Sequence, residues 1–365
     1  MKTTNEKLLS ELIGHEVDLS RLSNSQVLTI IKVLNSRDAD LRAALIEAIE
    51  NLGADLSAAA VDIALAAVLR INRQTFVEIR LAMDKMTDGL VSYELAFQQS
   101  TLRAVLPALV REAYPVVSPA FSAVKAIALA RPFQGRLLRE WVVGIESSRA
   151  AAVRDAVRSG VVEGRTTAEI VRTIMGSRFQ QYADGALQKA RRDVESVVRS
   201  AVSHTAETAS DAAYEANSDI ISHVEWLSTL DNHTSSDCRI RDRLPYTLGT
   251  YKPIGHTIPW LAGPGRIHFC CRSSKVPVLK SAKALGFSDG ATRASMDGQV
   301  PESTTYAEWL SKQSAARQDE ILGSERGRLI REGGLKLGDF YNDKGRFLTL
   351  DELRERLKLA VDRKP

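Results

Sequence analysis

The sequence predicts a mainly α-helical protein with a small, loop-rich α+β module, long N-terminal helices and a helical C-terminal tail. Apolar residues recur at three- and four-residue spacing over long stretches, as they do on the buried face of a helix. Aromatic residues make up only 6% of the chain, whereas alanine, leucine, arginine and glutamate, which favour helices, are frequent. Turn-forming residues instead concentrate in residues 231–277, where the helical spacing disappears.

The chain is long enough for more than one domain. Its 365 residues exceed the ~250–300 residues that one hydrophobic core usually serves. Hydrophobic residues at 44% and charged residues at 26% exclude global disorder. We divide the chain into a helical N-terminal arm (residues 1–113), a helical middle region (114–220), a loop-rich module (221–280) and a C-terminal tail of helices and turns (281–365).

Helical periodicity is nearly continuous in the N-terminal arm. Val27 and Leu34 share one helical face. The stretch from Leu56 to about Leu109 predicts one long helix or two, because it contains no proline before Pro107. We expect these helices to pack in a bundle or against a partner. Two prolines in residues 114–119 mark a linker after the arm.

Two helices and then a strand are predicted in the middle of the chain. Thr166 and Glu169 have the spacing of a capping box and begin a helix. A second helix is predicted from about Asp184 to Ala216, and the alternating, β-prone run from His223 to Leu230 predicts a strand. Capping boxes of the same kind begin two helices in the tail, at Thr305 and Thr349.

Charge and composition exclude several classes of protein. A formal net charge of +4 is too small for a protein that coats DNA, and three cysteines do not make a disulfide scaffold in a chain of this length. The first residues lack the apolar core of a signal peptide. The most apolar run, residues 56–71, contains charges and is too short to cross a bilayer. We therefore expect folding in a reducing cytoplasm and no membrane contact.

Arginines cluster on one face of the helix predicted over residues 184–216. Arg191, Arg192 and Arg199 lie opposite its apolar residues. Such a face is either ordinary solvated surface or a contact for the phosphate backbone of double-stranded DNA. The sequence leaves both interpretations open.

All three cysteines and four of the six histidines fall between His223 and Cys271. His268 and Cys271 have the His-x-x-Cys spacing at which two side chains on one turn reach one ion. Cys238 supplies a third ligand if the intervening loop folds back. A structural zinc ion would stabilise a segment with so little core. The candidates for a fourth ligand are Cys270, Asp231, His233 and His256.

Three other interpretations of the cysteines stay open. The thiols are buried and unligated beside a hydrogen-bonded histidine, as free cysteines often are. Alternatively, Cys238 forms a disulfide with Cys270 or Cys271 after cell lysis. The third interpretation is a zinc or thiol hydrolase built on Cys238, His268 and Cys271. In it, His268 activates Cys271 or Cys238, and Asp231 orients the cysteine–histidine pair.

The same residues match the motif of a known family. Trp226, Asp231, Thr234 and Cys238, followed after a loop by His268, Cys271 and Arg272, occur in the order and at about the spacing of that motif. In these residues the chain resembles the head morphogenesis proteins of tailed phages, the family of protein F of bacteriophage Mu. Residues 131–136, 199–209 and 309–313 also look like segments common in that family.

The match to the family has two departures. Leu244 and Pro245 stand where the family often has a glycine. Cys270 stands where it often has an asparagine, so we assign Cys271, and not Cys270, to the motif.

The resemblance implies a minor capsid protein inside the phage head near the portal vertex. Its expected partners are the portal protein, the scaffold and major capsid proteins, and packaged double-stranded DNA. Its expected roles are procapsid assembly and DNA packaging or delivery, with no catalytic activity. The alternatives are an internal DNA-binding protein that is ejected with the genome, and the zinc or thiol hydrolase.

Overall fold

The computed structural model describes residues 3–286, 292–295, 298–301, 304–342 and 346–361. It confirms a mainly α-helical fold with long N-terminal helices and a small α+β module. The chain divides into two compact units, Met1–Ser281 and Ala282–Pro365, which we describe separately.

Long helices make up most of the first unit. Thr3 and Glu6 form a capping box that begins the first of them, which the sequence analysis did not anticipate. The helices are α1 (Thr4–Asn35), α2 (Asp38–Glu50), α3 (Ala58–Ala64), α4 (Ala66–Val105), α5 (Ala108–Ala113), α6 (Phe121–Ala130), α7 (Leu138–Val162), α8 (Thr167–Met175), α9 (Gln188–Ala216) and the short α10 (Ser236–Arg239).

Two predicted helices differ from expectation in their bounds. The stretch 56–109 forms α3, α4 and the start of α5, with breaks at Leu65 and before Pro107, whose missing N–H prevents α4 from continuing. Helix α9 begins at Gln188 rather than near Asp184. The Asp184 carboxylate instead accepts a hydrogen bond from the backbone N–H of Ser177 and closes a loop. The capping box of Thr166 and Glu169 is confirmed at the start of α8.

Helix α9 is the centre of the first unit. It contacts α1, α4, α6, α7 and a strand of the module. Its first half buries Val194, Val197 and Val198 against apolar residues of α1, α4 and α7. Its second half is buried on almost every side, including the polar residues His204, Glu207 and Asp211. A second apolar cluster joins α2, α3, the start of α4, the end of α7 and α8.

A three-stranded antiparallel sheet lies at the end of α9. Its strands are β1 (Ile221–Leu227), β2 (Pro245–Thr247) and β3 (Ser274–Leu279), in the order β2-β1-β3. The strand predicted from residue 223 thus begins two residues earlier and ends at Leu227. In the register, Trp226 pairs with Lys275 and Leu227 pairs with Ser274, so the end of β1 lies beside the start of β3.

The second unit is smaller and mostly helical. Thr305 caps its first α-helix as predicted, and Thr349 and Glu352 make the two reciprocal hydrogen bonds of a capping box before its last. Leu310, Phe340 and Leu353 belong to its core. Its elements are β4 (Thr292–Ser295) paired antiparallel with β5 (Gly298–Pro301), α11 (Tyr306–Ser311), α12 (Ala315–Leu322), α13 (Ser324–Arg331) and α14 (Leu350–Val361), with 3-10 turns at Lys283–Leu285 and Leu337–Phe340.

In the part of the chain that the structure describes, no helix is both long enough and apolar enough to span a membrane.

Candidate functional site

The motif residues of the module lie on two segments that face each other. The first follows β1 and ends in α10, which Ser235 caps by accepting a hydrogen bond from the backbone N–H of Cys238. The Ser228 hydroxyl donates to the carbonyl of Cys238 and holds α10 against the end of β1. The second segment, residues 268–272, leads into β3. Pairing of β1 with β3 therefore brings the two segments together.

Cys238, His268 and Cys271 form a compact group that is able to hold a metal ion. Their ligand atoms all lie within 4.8 Å of one another. The Cys238 Sγ is 3.8 Å from the Cys271 Sγ and 3.6 Å from the His268 Nε2. In a tetrahedral zinc site, bond lengths of about 2.3 Å to sulfur and 2.05 Å to nitrogen give edges of about 3.8 and 3.6 Å. The two distances therefore match zinc geometry.

The orientation of the His268 ring also suits a metal ligand. Its Nδ1 lies 2.9 Å from the carbonyl oxygen of Phe269, which only accepts, so Nδ1 carries the proton and Nε2 presents a lone pair towards the sulfurs. Histidine ligands commonly donate their second N–H to a backbone carbonyl in this way. The Ser235 hydroxyl lies 2.9 Å from Nε2 and donates to it.

A hydrogen bond between the two buried sulfurs shifts the pKa values of their thiols in opposite directions. A hydrogen bond from the Cys271 thiol lowers the pKa of Cys238, although burial opposes this. The same bond and burial raise the pKa of Cys271. One thiolate and one thiol in contact are a suitable starting state for metal binding, since a bound ion replaces the shared proton.

Asp231 and Arg272 join the two segments beside this group. The Arg272 guanidinium donates two hydrogen bonds to the Asp231 carboxylate, at 2.5 and 2.8 Å. The hydroxyl of Thr234 contacts the same carboxylate at 3.1 Å and the carbonyl of Thr229. The hydroxyl of Thr229 in turn donates to the carbonyl of Arg272 at 3.0 Å. These contacts make Asp231, Thr234 and Arg272 a latch between the segments.

The residues between His268 and Arg272 connect the module to the helices. Phe269 packs edge-on against Trp141 of α7 at 5.0 Å, which the sequence analysis did not single out. The backbone N–H of Cys270 donates to the hydroxyl of Ser200 on α9, and the Cys270 thiol faces α9 rather than Cys238. Cys270 has a φ of 56°, a left-handed conformation that turns its two neighbours in different directions. The segment thus contacts both α7 and α9 and connects them to the metal-ligand group.

Trp226 contributes to the packing inside the module. It is completely buried and packs edge-on against Trp260, with ring centroids 5.2 Å apart. The Arg241 guanidinium lies 5.8 Å from the Trp226 ring and donates to the carbonyls of Asp237 and Pro259. Trp226 is therefore a core residue of the module, and its arginine neighbour fixes α10 to the following loop.

A buried charge network lies behind the site, and no sequence pattern predicted it. Lys275 of β3 is fully buried and contacts the carboxylates of Glu207 and Asp211 at 2.6 and 2.8 Å. Asp211 also accepts hydrogen bonds from Arg266 at 2.6 Å and from the Tyr251 hydroxyl at 2.6 Å. Burial alone would raise the pKa of Asp211, but Lys275 and Arg266 outweigh it and hold that pKa well below its usual range.

The remaining candidate ligands are not part of the metal-ligand group. Asp231 is paired with Arg272. His256 lies 2.9 Å from the carbonyl of Pro245 and accepts a hydrogen bond from the backbone N–H of Ile258. His233 lines an open cleft of about 1140 Å³ between α1, α9 and the module, which His268 also lines. The group therefore has three ligands from the part of the chain that the structure describes.

Two of the three arginines of α9 lie in contacts within the protein. Arg191 donates to Asp38 at 2.9 Å and to Asn35. Arg199 pairs with Glu195 at 2.8 Å and donates to Asn24. Arg192 is exposed. The charge of Arg191 and Arg199 is thus compensated by neighbouring carboxylates.

Comparison with protein-family models, with curated proteins and with solved structures finds no match to this chain.

Proposed function

We propose that this protein is a minor capsid protein of a tailed phage, associated with the portal vertex inside the head, and that residues 221–280 are its docking module. The proposal starts from the resemblance of the motif to phage head morphogenesis proteins. It includes the portal protein as the main partner, with the scaffold and major capsid proteins as further partners. In this role the protein supports procapsid assembly and DNA packaging or delivery.

The observation that carries the proposal is the convergence of the motif. Residues far apart in sequence meet in one module, where Asp231 and Arg272 form the latch and Cys238, His268 and Cys271 form the metal-ligand group. Both sulfurs are buried, with the Cys238 side chain 1% exposed and Cys271 fully covered. A motif whose side chains face each other and bind its own backbone stabilises a shape, and this arrangement favours a docking role over a reactive one.

We further propose that a structural zinc ion binds Cys238, His268 and Cys271. The module has a three-stranded sheet and few regular elements between β2 and β3, so its loops need an additional constraint. The ligand spacing and the His268 tautomer both suit zinc. The ion would hold the two facing segments at a fixed distance.

The side chains that the module exposes suit a protein contact. Leu230 lies directly before Asp231 in the latch and is 89% exposed. The hydrogen bonds of Thr229 and Asp231 fix the backbone on both sides of it. Because the chain on both sides of Leu230 is already held in place, covering its side chain costs less conformational freedom than covering one on an unrestrained loop. We propose Leu230 as a contact for the portal protein.

The test is incorporation into procapsids. The phage or prophage that encodes this chain is complemented with the Leu230→Gln variant, and procapsids are purified by sedimentation. We expect the variant to be depleted from the particles and from complexes with the purified portal protein, while its melting temperature stays unchanged. Leu28→Gln is the matched control, because Leu28 on α1 is also largely exposed and lies outside the module.

Equal incorporation of the Leu230 variant and wild type would remove Leu230 from the interface. A variant lacking residues 221–280 is the second test. If it still enters procapsids, the module does not carry assembly and the proposed function is wrong.

A further inference from the structure

We propose that the cleft between α2, α8 and the loop of residues 176–187 binds single-stranded nucleic acid. This cleft, which we call the arginine cleft, has a volume of about 1530 Å³, and Arg42, Arg172 and Arg178 line it. None of the residues that line it belongs to the docking module, so the inference does not depend on the proposed function.

The cleft presents three arginine side chains to solvent. The side chains of Arg42, Arg172 and Arg178 are exposed and make no hydrogen bond or ion pair with any residue that the structure describes. Three guanidinium groups without such partners around one cleft are suited to phosphate groups, which they bind with two parallel hydrogen bonds each.

The arginines of the cleft outnumber its acidic residues: Asp38, Glu50 and Asp184 line it together with four arginines, Arg191 being the fourth. Asp38 pairs with Arg191 at 2.9 Å and lies 3.8 Å from Arg149. The Asp184 carboxylate accepts the backbone N–H of Ser177 at 2.7 Å, and this bond lowers its pKa, so it stays ionised and closes the loop. Glu50 is the third acidic residue of the lining. The charge that the cleft offers to a ligand is therefore positive.

An aromatic side chain projects at the edge of the cleft. Phe179 is 91% exposed, the highest value among the large apolar side chains that the structure describes, and Tyr182 is 43% exposed. A phenylalanine left in water does not gain the favourable free energy that burial of its ring would contribute. A flat exposed ring beside arginines is the arrangement on which unpaired bases stack while their phosphates are bound.

The loop holds Phe179 outward by its own hydrogen bonds. The backbone N–H of Tyr182 donates to the carbonyl of Ser177 at 2.8 Å, and that of Ala183 donates to Gln180 at 2.9 Å. At the base of the loop, a Cβ on Gly185 would lie 2.4 Å from the backbone nitrogen of Gly176, so the two ends of the loop touch. The exposure of Phe179 is thus a property of a closed loop.

The same loop stores backbone strain. Gln181 and Tyr182 both have positive φ values, 50° and 64°, which residues other than glycine rarely adopt. Such strained residues persist where the surrounding structure imposes them, and they concentrate at binding sites. Charge, an exposed ring and a strained closed loop therefore point to one ligand class, a strand of phosphates with accessible bases.

Fluorescence anisotropy with a labelled 20-nucleotide oligo-dT strand and a duplex of equal length tests the inference on the full chain. We expect tighter binding of the single strand, and Phe179→Ala to weaken it about tenfold because one stacked base is lost. The duplex should not respond to Phe179→Ala, since its bases are already stacked. The triple variant Arg42→Gln, Arg172→Gln, Arg178→Gln should reduce the slope of log affinity against log salt by about 2, at about 0.7 for each phosphate.

The charge-matched control is the triple variant Arg103→Gln, Arg111→Gln, Arg139→Gln, which removes three exposed arginines elsewhere in the first unit. It should bind the single strand almost as wild type does. Equal loss in both triple variants would overturn the inference, because binding would then follow net charge alone. Absence of binding, or binding that is unchanged in Phe179→Ala, would also overturn it. Unaltered melting temperatures exclude misfolding as the cause of any loss.

Discussion

The Asp231 carboxylate accepts two hydrogen bonds from the guanidinium group of Arg272, although the two residues are 41 positions apart. The paired bonds fix orientation as well as distance. They connect the loop after β1 to the segment that holds His268 and Cys271, next to the metal-ligand group. The latch is therefore the contact by which the motif residues position one another.

Asp231→Asn tests the latch. Hydrogen bonds from Arg272 outweigh a small burial effect and hold the pKa of Asp231 well below its usual value of 3.8. A carboxyl group with a lowered folded-state pKa contributes stability above its unfolded pKa and loses it as the pH falls towards the folded value. We expect the variant to melt at a lower temperature than wild type at pH 7, and the difference to shrink below about pH 4.

Asp18→Asn is the control for this comparison, since Asp18 pairs with Arg21 on the exposed surface of α1 and such pairs contribute little. Melting curves from pH 3 to 8 provide the measurement. Equal melting temperatures for the Asp231 variant and wild type at pH 7 would contradict the structural role of the latch.

The three cysteines provide an internal test of the zinc proposal. Cys238→Ser and Cys271→Ser each remove one of three ligands, whereas Cys270→Ser removes a thiol that faces α9. We expect elemental analysis to find one zinc per chain in wild type and in Cys270→Ser, and much less in the other two variants. A chelator should lower the melting temperature of wild type and of Cys270→Ser. Zinc that is absent from wild type, or lost equally in all three variants, contradicts the proposal.

Removal of Lys275 should strongly destabilise the first unit. Its ammonium group is fully buried and contacts Glu207 and Asp211, so Lys275→Met leaves two buried carboxylates with less compensation. We expect a loss of about 3–5 kcal/mol in the free energy of unfolding, measured by urea denaturation. Lys189→Met is the control, because Lys189 pairs with Asp193 on the surface and should change stability by less than about 0.5 kcal/mol. A small effect for Lys275→Met would show that the network does not stabilise the fold.

Glu16 on α1 gives a pH-dependent prediction. Burial raises the pKa of Glu16 to about 8, Glu207 and Glu94 add to the increase, and Ser274 and Lys275 oppose it. A carboxyl group with a raised folded-state pKa stabilises the fold below its unfolded value and loses this contribution as the pH rises through the folded value. Glu16→Gln should therefore gain stability relative to wild type as the pH rises from about 5 to 8, by at most about 3–4 kcal/mol. Denaturation series at pH 5, 6.5 and 8 measure the difference, and a difference that is constant across them contradicts the prediction.

Local sequence signals predicted the elements that depend on neighbouring residues. The capping boxes at Thr166 and Thr305 need only two residues three positions apart, so their hydrogen bonds follow directly from the sequence. The strand after residue 221 was predicted for the same reason, by an alternation within a few residues. The loop of residues 176–187 was missed because its shape depends on Gly176 and Gly185 approaching each other across ten residues.

The sequence predicted which types of residue form the site, but not which residues surround them. Cys238 and His268 offered ligand chemistry, but the loops between them have no periodicity that fixes a distance. Helix α9 resembled an amphipathic helix, but five elements contact it in the fold, and its second half is buried on almost every side. Nothing in the sequence predicts the burial of Glu207 and Asp211, because charged side chains are seldom buried and their partner Lys275 lies more than 60 positions away.

Quantitative mass spectrometry of purified procapsids and virions is the most direct test of the assignment to a phage head. The proposed function requires that a phage or prophage encodes the chain, so particles are prepared from that source, and tails are removed before digestion. We expect a few copies per particle that remain with the portal protein when the shell is dissociated. Heads that package DNA normally and contain no peptide of this chain would contradict the assignment.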